Sequence, residues 1–114
     1  METKEMVTTE MKNGIVVLNM HGDVTPFSEK AVMDAYEKHS AGETQKILIN
    51  FSNAKYINSG GIAIIISLVS EARKKNQKVG VCCLTPHFVK IFDMIGLSDY
   101  VEMYETDVEA LQLL

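Results

Sequence analysis

Few residues of this chain belong to the types that mark membrane, secreted or metal-binding proteins. The 114 residues include no tryptophan, two cysteines, two prolines and three histidines. The longest apolar run, Ile62 to Val69, is far shorter than the ~20 residues of a membrane-spanning helix, so no membrane insertion is expected. The N-terminal Met1-Glu2-Thr3-Lys4-Glu5 lacks the apolar segment of a signal peptide. We therefore expect a cytoplasmic protein.

The cysteines and histidines show no disulfide or metal-ligand pattern. Cys82 and Cys83 are adjacent, and neighbours on a strand point to opposite faces. They are therefore expected to be buried free thiols in a reducing compartment. His21, His39 and His87 are scattered without ligand spacing, so no metal is expected.

Basic segments and glycine-rich loops are also scarce. The formal net charge is −4, which argues against a nucleic-acid surface, since such surfaces are basic. Gly60-Gly61 lacks the further glycine and the lysine of a nucleotide-binding loop, so no cofactor is expected. With 46% hydrophobic and 23% charged residues, the composition is that of one compact globular domain.

Apolar periodicity and turn residues predict alternating strands and helices. Strands are predicted at 6–11, 15–20, 46–51, 79–84 and 100–104, and 21–24 is predicted as a loop. Helices are predicted from Thr25-Pro26 to Gly42, over 59–76, from Thr85-Pro86 to Gly96, and from a capping box at 106–109 through 114. This order predicts an α/β fold over residues 1–114, with a mixed sheet of four or five strands, an antiparallel edge strand and about four helices. Residues 1–5 are expected to be disordered.

Apolar stripes on the first two predicted helices are expected to face the core. The stripe of the first helix consists of Phe27, Ala31, Val32, Ala35 and Tyr36. The stripe of the helix over 59–76 consists of Ile62, Ile65, Ile66, Val69 and Ala72. Ala63, Ser67 and Ser70 form a small-residue face elsewhere on that helix. Such a face suits close approach by another element or by a partner protein.

The segment Tyr56-Ile57-Asn58-Ser59-Gly60-Gly61-Ile62 carries the clearest functional signal. It joins a buried strand to a helix, and its glycines keep the backbone around Ser59 uncrowded. Either Asn58 or Ser59 can cap the helix, and the plain structural interpretation is a capping or surface serine. The alternative is a phosphoacceptor, because a helix start offers N–H donors and positive potential to a phosphate. No histidine or lysine base lies nearby in sequence, so a kinase would have to activate the hydroxyl.

Asp23 and Thr25 follow another predicted strand. Their plain interpretation is a loop carboxylate and an N-cap threonine. They can also border the same edge of the sheet as Ser59, which would add them to a site there.

Together, these motifs resemble the STAS domain of bacterial anti-sigma factor antagonists. The family's phosphorylation motif, roughly Asp-Ser-Ser/Thr-Gly-Leu after a hydrophobic strand, is similar to Asn58-Ser59-Gly60-Gly61-Ile62. The family's early Gly-Glu-Leu-Asp loop is similar to Gly22-Asp23-Val24-Thr25. Its later Gly-Leu pair, short strand and Glu-Ala-Leu helix look like Gly96-Leu97, 101–104 and Glu109-Ala110-Leu111. The chain differs in having Asn58 and Thr25 for aspartates and Gly60 for a hydroxyl residue. The match runs from about Met6 through nearly the whole chain.

The resemblance implies a binding module and not an enzyme. In the family, the unphosphorylated domain captures an anti-sigma factor, which is often a serine kinase, and phosphorylation ends the capture. Transcription is regulated in this way, and Ser59 matches the phosphoacceptor. The implied partner is an anti-sigma factor with serine kinase activity. The residues expected to contact it are Asp23, Thr25, Asn58, Ser59, Gly60, Gly61, Ala63 and Ser67.

Two other functions remain open from the residues. One is a STAS scaffold module of a stress-sensing or lipid-transport complex, which need not be phosphorylated. The other is a small flavodoxin-like cofactor-binding enzyme. Recovery of bound flavin or nucleotide, together with turnover of a substrate, would favour this function. The identity of the anti-sigma and sigma factors, the upstream signal and the oligomeric state do not follow from the sequence.

Overall fold

The chain alternates strands and helices in a computed structural model that describes residues 6–39 and 45–114. The predictions on residues 1–5 and on a helix end at Gly42 lie outside the described residues. The strands are β1 (Val7–Lys12), β2 (Ile15–Val24), β3 (Lys46–Ile57), β4 (Lys78–Cys82) and β5 (Glu102–Tyr104). The helices are α1 (Glu29–His39), α2 (Ser59–Lys74), α3 (Pro86–Met94) and α4 (Asp107–Leu113), with 3₁₀ turns at Pro26–Ser28 and Leu97–Asp99.

The described strands form one mixed sheet in the order β1-β2-β3-β4-β5. β1 and β2 are antiparallel, and the remaining neighbours are parallel. Asn13 and Gly14 connect the antiparallel pair with φ values of 53° and 75°, as a tight hairpin turn requires. The predicted α/β fold with an antiparallel edge strand is confirmed.

The two faces of the sheet are covered by different helices. Along β2, Val16 and Leu18 belong to the larger core, whereas Ile15 and Val17 belong to a smaller one, because successive strand residues point to opposite faces. The larger core also contains the buried residues of α1, α2 and α3, and the smaller core contains Ala110 of α4. The carboxyl ends of β2, β3 and β4 therefore lie along one edge, called the carboxyl edge below, together with the segments that lead into these three helices.

β2 and β3 extend further toward the carboxyl edge than predicted. Residues 21–24, predicted as a loop, form the end of β2 and pair with β3 up to Val24 and Ile57. The pairing has two register shifts, and Gly22 has a φ of 68°. The polar side chains of this segment suggested a loop, but ladder hydrogen bonds use backbone groups and do not require apolar side chains.

The predicted core stripe of the first helix is wrong at Phe27. Residues 26–28 form a 3₁₀ turn, and α1 begins only at Glu29. A 3₁₀ turn has 3.0 residues per turn instead of 3.6, so positions counted from Pro26 as a regular helix fall out of phase. Val32 and Tyr36 are buried as expected, but the Phe27 side chain is 88% exposed.

The buried stripe of α2 is also displaced from the prediction. Ile65, Val69 and Ala72 are buried, but Ile66 is 45% exposed. The prediction omitted Ile64 and Leu68, which are both buried. Ala63, Ser67 and Ser70 are exposed, as a face available to a partner requires.

The two cysteines do not point to opposite faces. Cys83 lies beyond the end of β4 with a φ of 67°, and its side chain packs against the same small core as Cys82. Both thiols are free. Burial raises the pKa of the Cys82 thiol, which disfavours the reactive thiolate.

Half of the predicted capping box of α4 is present. The Thr106 side chain accepts the Glu109 N–H at 3.1 Å, as predicted. A capping box also requires the Glu109 carboxylate to accept the N–H of the N-cap residue, Thr106. It accepts instead the N–H of the preceding residue, Glu105, at 3.3 Å.

Candidate functional site

The candidate site lies where the ends of β2 and β3 meet the start of α2. Asp23 is opposite Tyr56 in the parallel register, and Val24 is opposite Ile57. The N–H of Asn58 donates to the carbonyl of Val24 at 3.2 Å. The segment after β2 and the first turn of α2 are therefore held together at the carboxyl edge.

Asn58 caps α2, which leaves Ser59 as the first helical residue. Asn58 has an extended backbone, and its Oδ1 accepts the Gly61 N–H at 2.8 Å. The Ser59 side chain is exposed, and its hydroxyl forms no hydrogen bond with the residues that the structure describes. The structure thus resolves the choice between two capping residues, and Ser59 is free for contacts outside the chain.

Close packing against β2 explains why two glycines follow Ser59. A Cβ on Gly61 would lie 2.1 Å from the carbonyl oxygen of Val24, and one on Gly60 would lie 2.4 Å from Cγ of Pro26. Both distances are too short for real atoms. The glycines therefore leave Ser59 uncrowded and also allow α2 to approach the end of β2.

Hydrogen bonds fix the turn that follows β2. Thr25 Oγ1 accepts the Phe27 N–H at 3.2 Å, and Ser28 Oγ accepts the Thr25 N–H at 3.2 Å. The Ser28 hydroxyl also donates to the carbonyl of Asp23 at 3.2 Å. Ser28 is only 3% exposed, so this polar side chain serves the backbone and not the solvent.

The structure brings most of the predicted site residues to one surface. Asp23 and Ser59 are exposed, while Thr25, Asn58 and Gly60 are half-buried beside them. Ala63 and Ser67 extend this surface along α2, because residues four apart lie on the same side of a helix. Gly61 is buried beneath the Val24 carbonyl and supports the surface from below.

Comparison with known families identifies the domain. A model of the STAS domain matches residues 6–110. The chain belongs to the STAS domain family.

Known proteins resemble this STAS domain at low sequence identity. An anti-sigma F factor antagonist of Paenibacillus polymyxa is 22% identical over 106 residues, which cover 92% of this chain and 91% of the relative. An anti-sigma factor antagonist from Mycobacterium paratuberculosis superposes with a TM-score of 0.79 at 21% identity, over 93% of this chain and 90% of the other. The Bacillus cell fate determinant SpoIIAA in its phosphorylated form gives a TM-score of 0.73 at 18% identity, over 93% and 96% of the two chains.

Two aromatic side chains of this STAS domain border the site and were absent from the predicted contact residues. Phe27 belongs to the turn after β2, and Tyr56, which is 55% exposed, lies opposite Asp23 near the end of β3. No sequence signal identified Phe27 as exposed, because the turn buries its serine, Ser28, and exposes its phenylalanine, contrary to the usual preference of these residue types.

The start of α2 can accommodate an added phosphate. The N–H groups of Ser59 and Gly60 precede the first intrahelical hydrogen bond and have no partner within the helix. A helix start carries partial positive charge, which favours an anion. Asn58 is uncharged and sits where the family pattern has an aspartate, so no carboxylate of the cap would repel the phosphate.

Neither a metal-ligand cluster nor a membrane-spanning helix is found among the described residues. They contain no group of three histidine, cysteine, aspartate or glutamate side chains that would suit a metal. None of the described helices combines the length and the apolar character needed to cross a bilayer.

Proposed function

We propose that this STAS domain is an anti-sigma factor antagonist, and that phosphorylation of Ser59 switches off its binding to an anti-sigma factor with serine kinase activity. The observation that carries the proposal is the free, exposed hydroxyl of Ser59 at the start of α2, at the position of the family's phosphoacceptor. The antagonists of Paenibacillus polymyxa and Mycobacterium paratuberculosis, which this chain resembles, support the choice of partner.

The binding surface consists of the site at the carboxyl edge and the exposed side of α2. Asp23 and Thr25 contribute polar groups from β2, and Ser59 contributes its hydroxyl. Ala63 and Ser67 continue the surface with side chains small enough for a partner to approach the helix backbone closely. We propose that the protein acts through this contact, in the cytoplasm, without catalysing a reaction itself.

The proposed kinase must supply the catalytic base. The Ser59 hydroxyl accepts or donates no hydrogen bond within the described chain, so no neighbouring side chain is placed to remove its proton. A serine hydroxyl is a weak nucleophile until a base activates it. This arrangement favours a substrate of a kinase over an autonomous nucleophile.

Phosphorylation would act through charge and not through refolding. It adds roughly −1.5 to −2 charges at neutral pH. The helix start offsets this charge by only ~0.3–1 kcal/mol. A partner surface formed around a neutral hydroxyl would have to desolvate the phosphate, and a penalty of about 3 kcal/mol lowers affinity on the order of 100-fold.

Phosphate mapping tests this proposal directly. The wild type, Ser59→Ala and Ser52→Ala are each incubated with ATP and the recombinant anti-sigma factors of the serine kinase class from the same genome. Phosphate is then located by mass spectrometry. We expect incorporation at Ser59 in the wild type and in Ser52→Ala, and none in Ser59→Ala. Ser52 is the control because it is an exposed serine of β3 that is not among the expected contact residues.

Binding measured by calorimetry completes the test. Ser59→Ala is expected to retain affinity, whereas Ser59→Glu is expected to weaken it, though less than a phosphate because a carboxylate carries less charge. Intact binding with no phosphate on any variant would disprove the switch and favour an unphosphorylated scaffold. No binding to any of these anti-sigma factors would disprove the proposed partner.

A further inference from the structure

Phe27 is placed where folding alone does not require an aromatic ring. Its side chain is 88% exposed, whereas Phe51, Phe88 and Phe92 are each at most 9% exposed. The adjacent Ser28 occupies the buried position of the turn. The turn therefore buries a hydroxyl group and presents the large apolar side chain to the outside, which is the reverse of the usual partition.

The backbone around Phe27 is held rigidly. Pro26 restricts its own φ, and the Phe27 N–H is bound by the Thr25 side chain. Ser28 is fixed by its N–H bond to the Thr25 carbonyl at 2.8 Å and by the two bonds of its hydroxyl. The ring is thus displayed on a fixed turn, and a partner that binds it need not order the loop first.

Phe27 lies close to Ser59. The Pro26 ring packs against Gly60, so standard bond lengths place the Cα atoms of Phe27 and Ser59 within about 14 Å of each other. A standard interface covers about 800 Å² on each partner, which corresponds to a disc of roughly 16 Å radius. A protein surface of that size centred on Ser59 would therefore also cover Phe27.

We propose that Phe27 is the apolar anchor and a specificity-determining residue of this surface. Its ring inserts into an apolar pocket of the anti-sigma factor, next to the site that receives the Ser59 hydroxyl. This inference rests on the proposed function. Anchors of this kind are single large side chains, surrounded by contacts that mainly exclude water, and they provide a large share of the binding free energy.

The surroundings of Phe27 favour a pocket over a flat apolar surface. Asp23, Glu29 and Lys30 are exposed and charged, and a second copy of the chain or a bilayer pressed flat against the turn would have to desolvate them. A pocket that admits one ring leaves these charges in the polar rim of the contact.

Three variants test the anchor against the recombinant anti-sigma factor that binds the wild type. Phe27→Ala removes the ring, and Phe27→Leu keeps an apolar side chain. Met94→Ala is the matched control, since Met94 is 80% exposed at the other end of α3, away from the carboxyl edge. We expect Phe27→Ala to raise Kd roughly 30-fold, Phe27→Leu to restore most of the affinity, and Met94→Ala to leave Kd unchanged.

Phosphorylation kinetics separate an anchor from a general structural role. Phe27 touches no reacting atom, so Phe27→Ala should raise KM for phosphorylation of Ser59 by a similar factor while kcat changes less than about twofold. Urea denaturation should show unchanged stability, because an exposed ring contributes little to folding.

Four results would overturn the anchor. Equal Kd values for the wild type and Phe27→Ala would refute it while leaving the proposed function in place. A parallel loss of stability and affinity would assign Phe27 a structural role. A wild-type dimer in light scattering that Phe27→Ala dissociates would show that a second copy occupies the ring. No binding by the wild type would refute the inference together with the proposed function.

Discussion

Two Thr-Pro turns at the carboxyl edge begin alike and are anchored differently. Thr25-Pro26 follows β2, and Thr85-Pro86 comes shortly after β4. In both, the threonine has an extended backbone and its hydroxyl accepts a backbone N–H, at 3.2 Å from Phe27 in the first turn and 3.4 Å from Phe88 in the second. The proline follows at the first helical position in each case, where its missing N–H has no cost.

The two turns place opposite kinds of side chain, polar and apolar, at their buried and exposed positions. The third residue after the threonine is buried in both, and it is Ser28 in the first turn and Phe88 in the second. The second residue after the threonine is exposed in both, and it is Phe27 in the first turn and His87 in the second. The second turn is therefore fixed by an aromatic ring in the core. The first is fixed by hydrogen bonds and by glycine contacts, which leaves its aromatic ring available to a partner.

Removing the aromatic ring of the second turn should cause the largest loss of stability. Phe88→Ala leaves a cavity in the larger core, and it removes the edge-to-face contact with Tyr56 at 6.2 Å between ring centroids. We expect the free energy of unfolding to fall by about 3 kcal/mol, measured by urea denaturation. His87→Ala is the control at the exposed position. An equal loss in both variants would contradict the assignment of buried and exposed positions.

Forcing α2 away from the first turn should have the next largest effect. A methyl group in Gly61→Ala would overlap the Val24 carbonyl, which is backbone and cannot move aside as a flexible side chain could. We expect a loss of about 2 kcal/mol in the free energy of unfolding, despite the better helix propensity of alanine.

Ser67→Ala provides the baseline for Gly61→Ala, because it places alanine at an exposed site of the same helix. The comparison is made by urea denaturation at equal protein concentration. A Gly61→Ala protein as stable as this control would show that the first turn is not held against α2.

Truncating the buried serine of the first turn should have the smallest effect. Ser28→Ala leaves the Thr25 N–H and the Asp23 carbonyl without the partner that they share. Neither group is deeply buried, and water can replace part of each bond, so we expect a loss of about 1 kcal/mol. Thermal unfolding measures it, with the exposed Ser70→Ala as the control. No difference between the two variants would show that the hydroxyl does not fix the turn.

The sequence was sufficient to predict the order of the strands and helices, but not which side chains of each helix face the core. Threonine-proline pairs, terminal glycines and apolar runs predicted every strand and helix that the structure describes. Phe27 was predicted to be buried because positions were counted from Pro26 as a regular α-helix, whereas residues 26–28 form a 3₁₀ turn. Ile66 was misplaced because α2 is rich in isoleucine, and several choices of stripe fit such a segment almost equally well.

The candidate site was predicted in composition but not in its internal contacts. The sequence indicated Ser59 beside two glycines, with Asp23 and Thr25 on a neighbouring strand. It could not distinguish Asn58 from Ser59 as the cap, because both residue types fill that role. The close contacts of Gly60 and Gly61 involve Pro26 and Val24, more than thirty residues earlier in the chain, so no local pattern shows them.

The order of the strands also has a consequence for synthesis. Because the strands lie in the sheet in the order in which they occur in the chain, no strand has to insert between two others that have already paired. Ribosomes add roughly 5–20 residues per second, whereas a hairpin forms in about 1–10 μs. Each strand can therefore join the edge formed by its predecessor while the rest is still being translated. The turn with Phe27 follows β2 and Ser59 follows β3, so both sides of the candidate site are synthesised before β4 and β5.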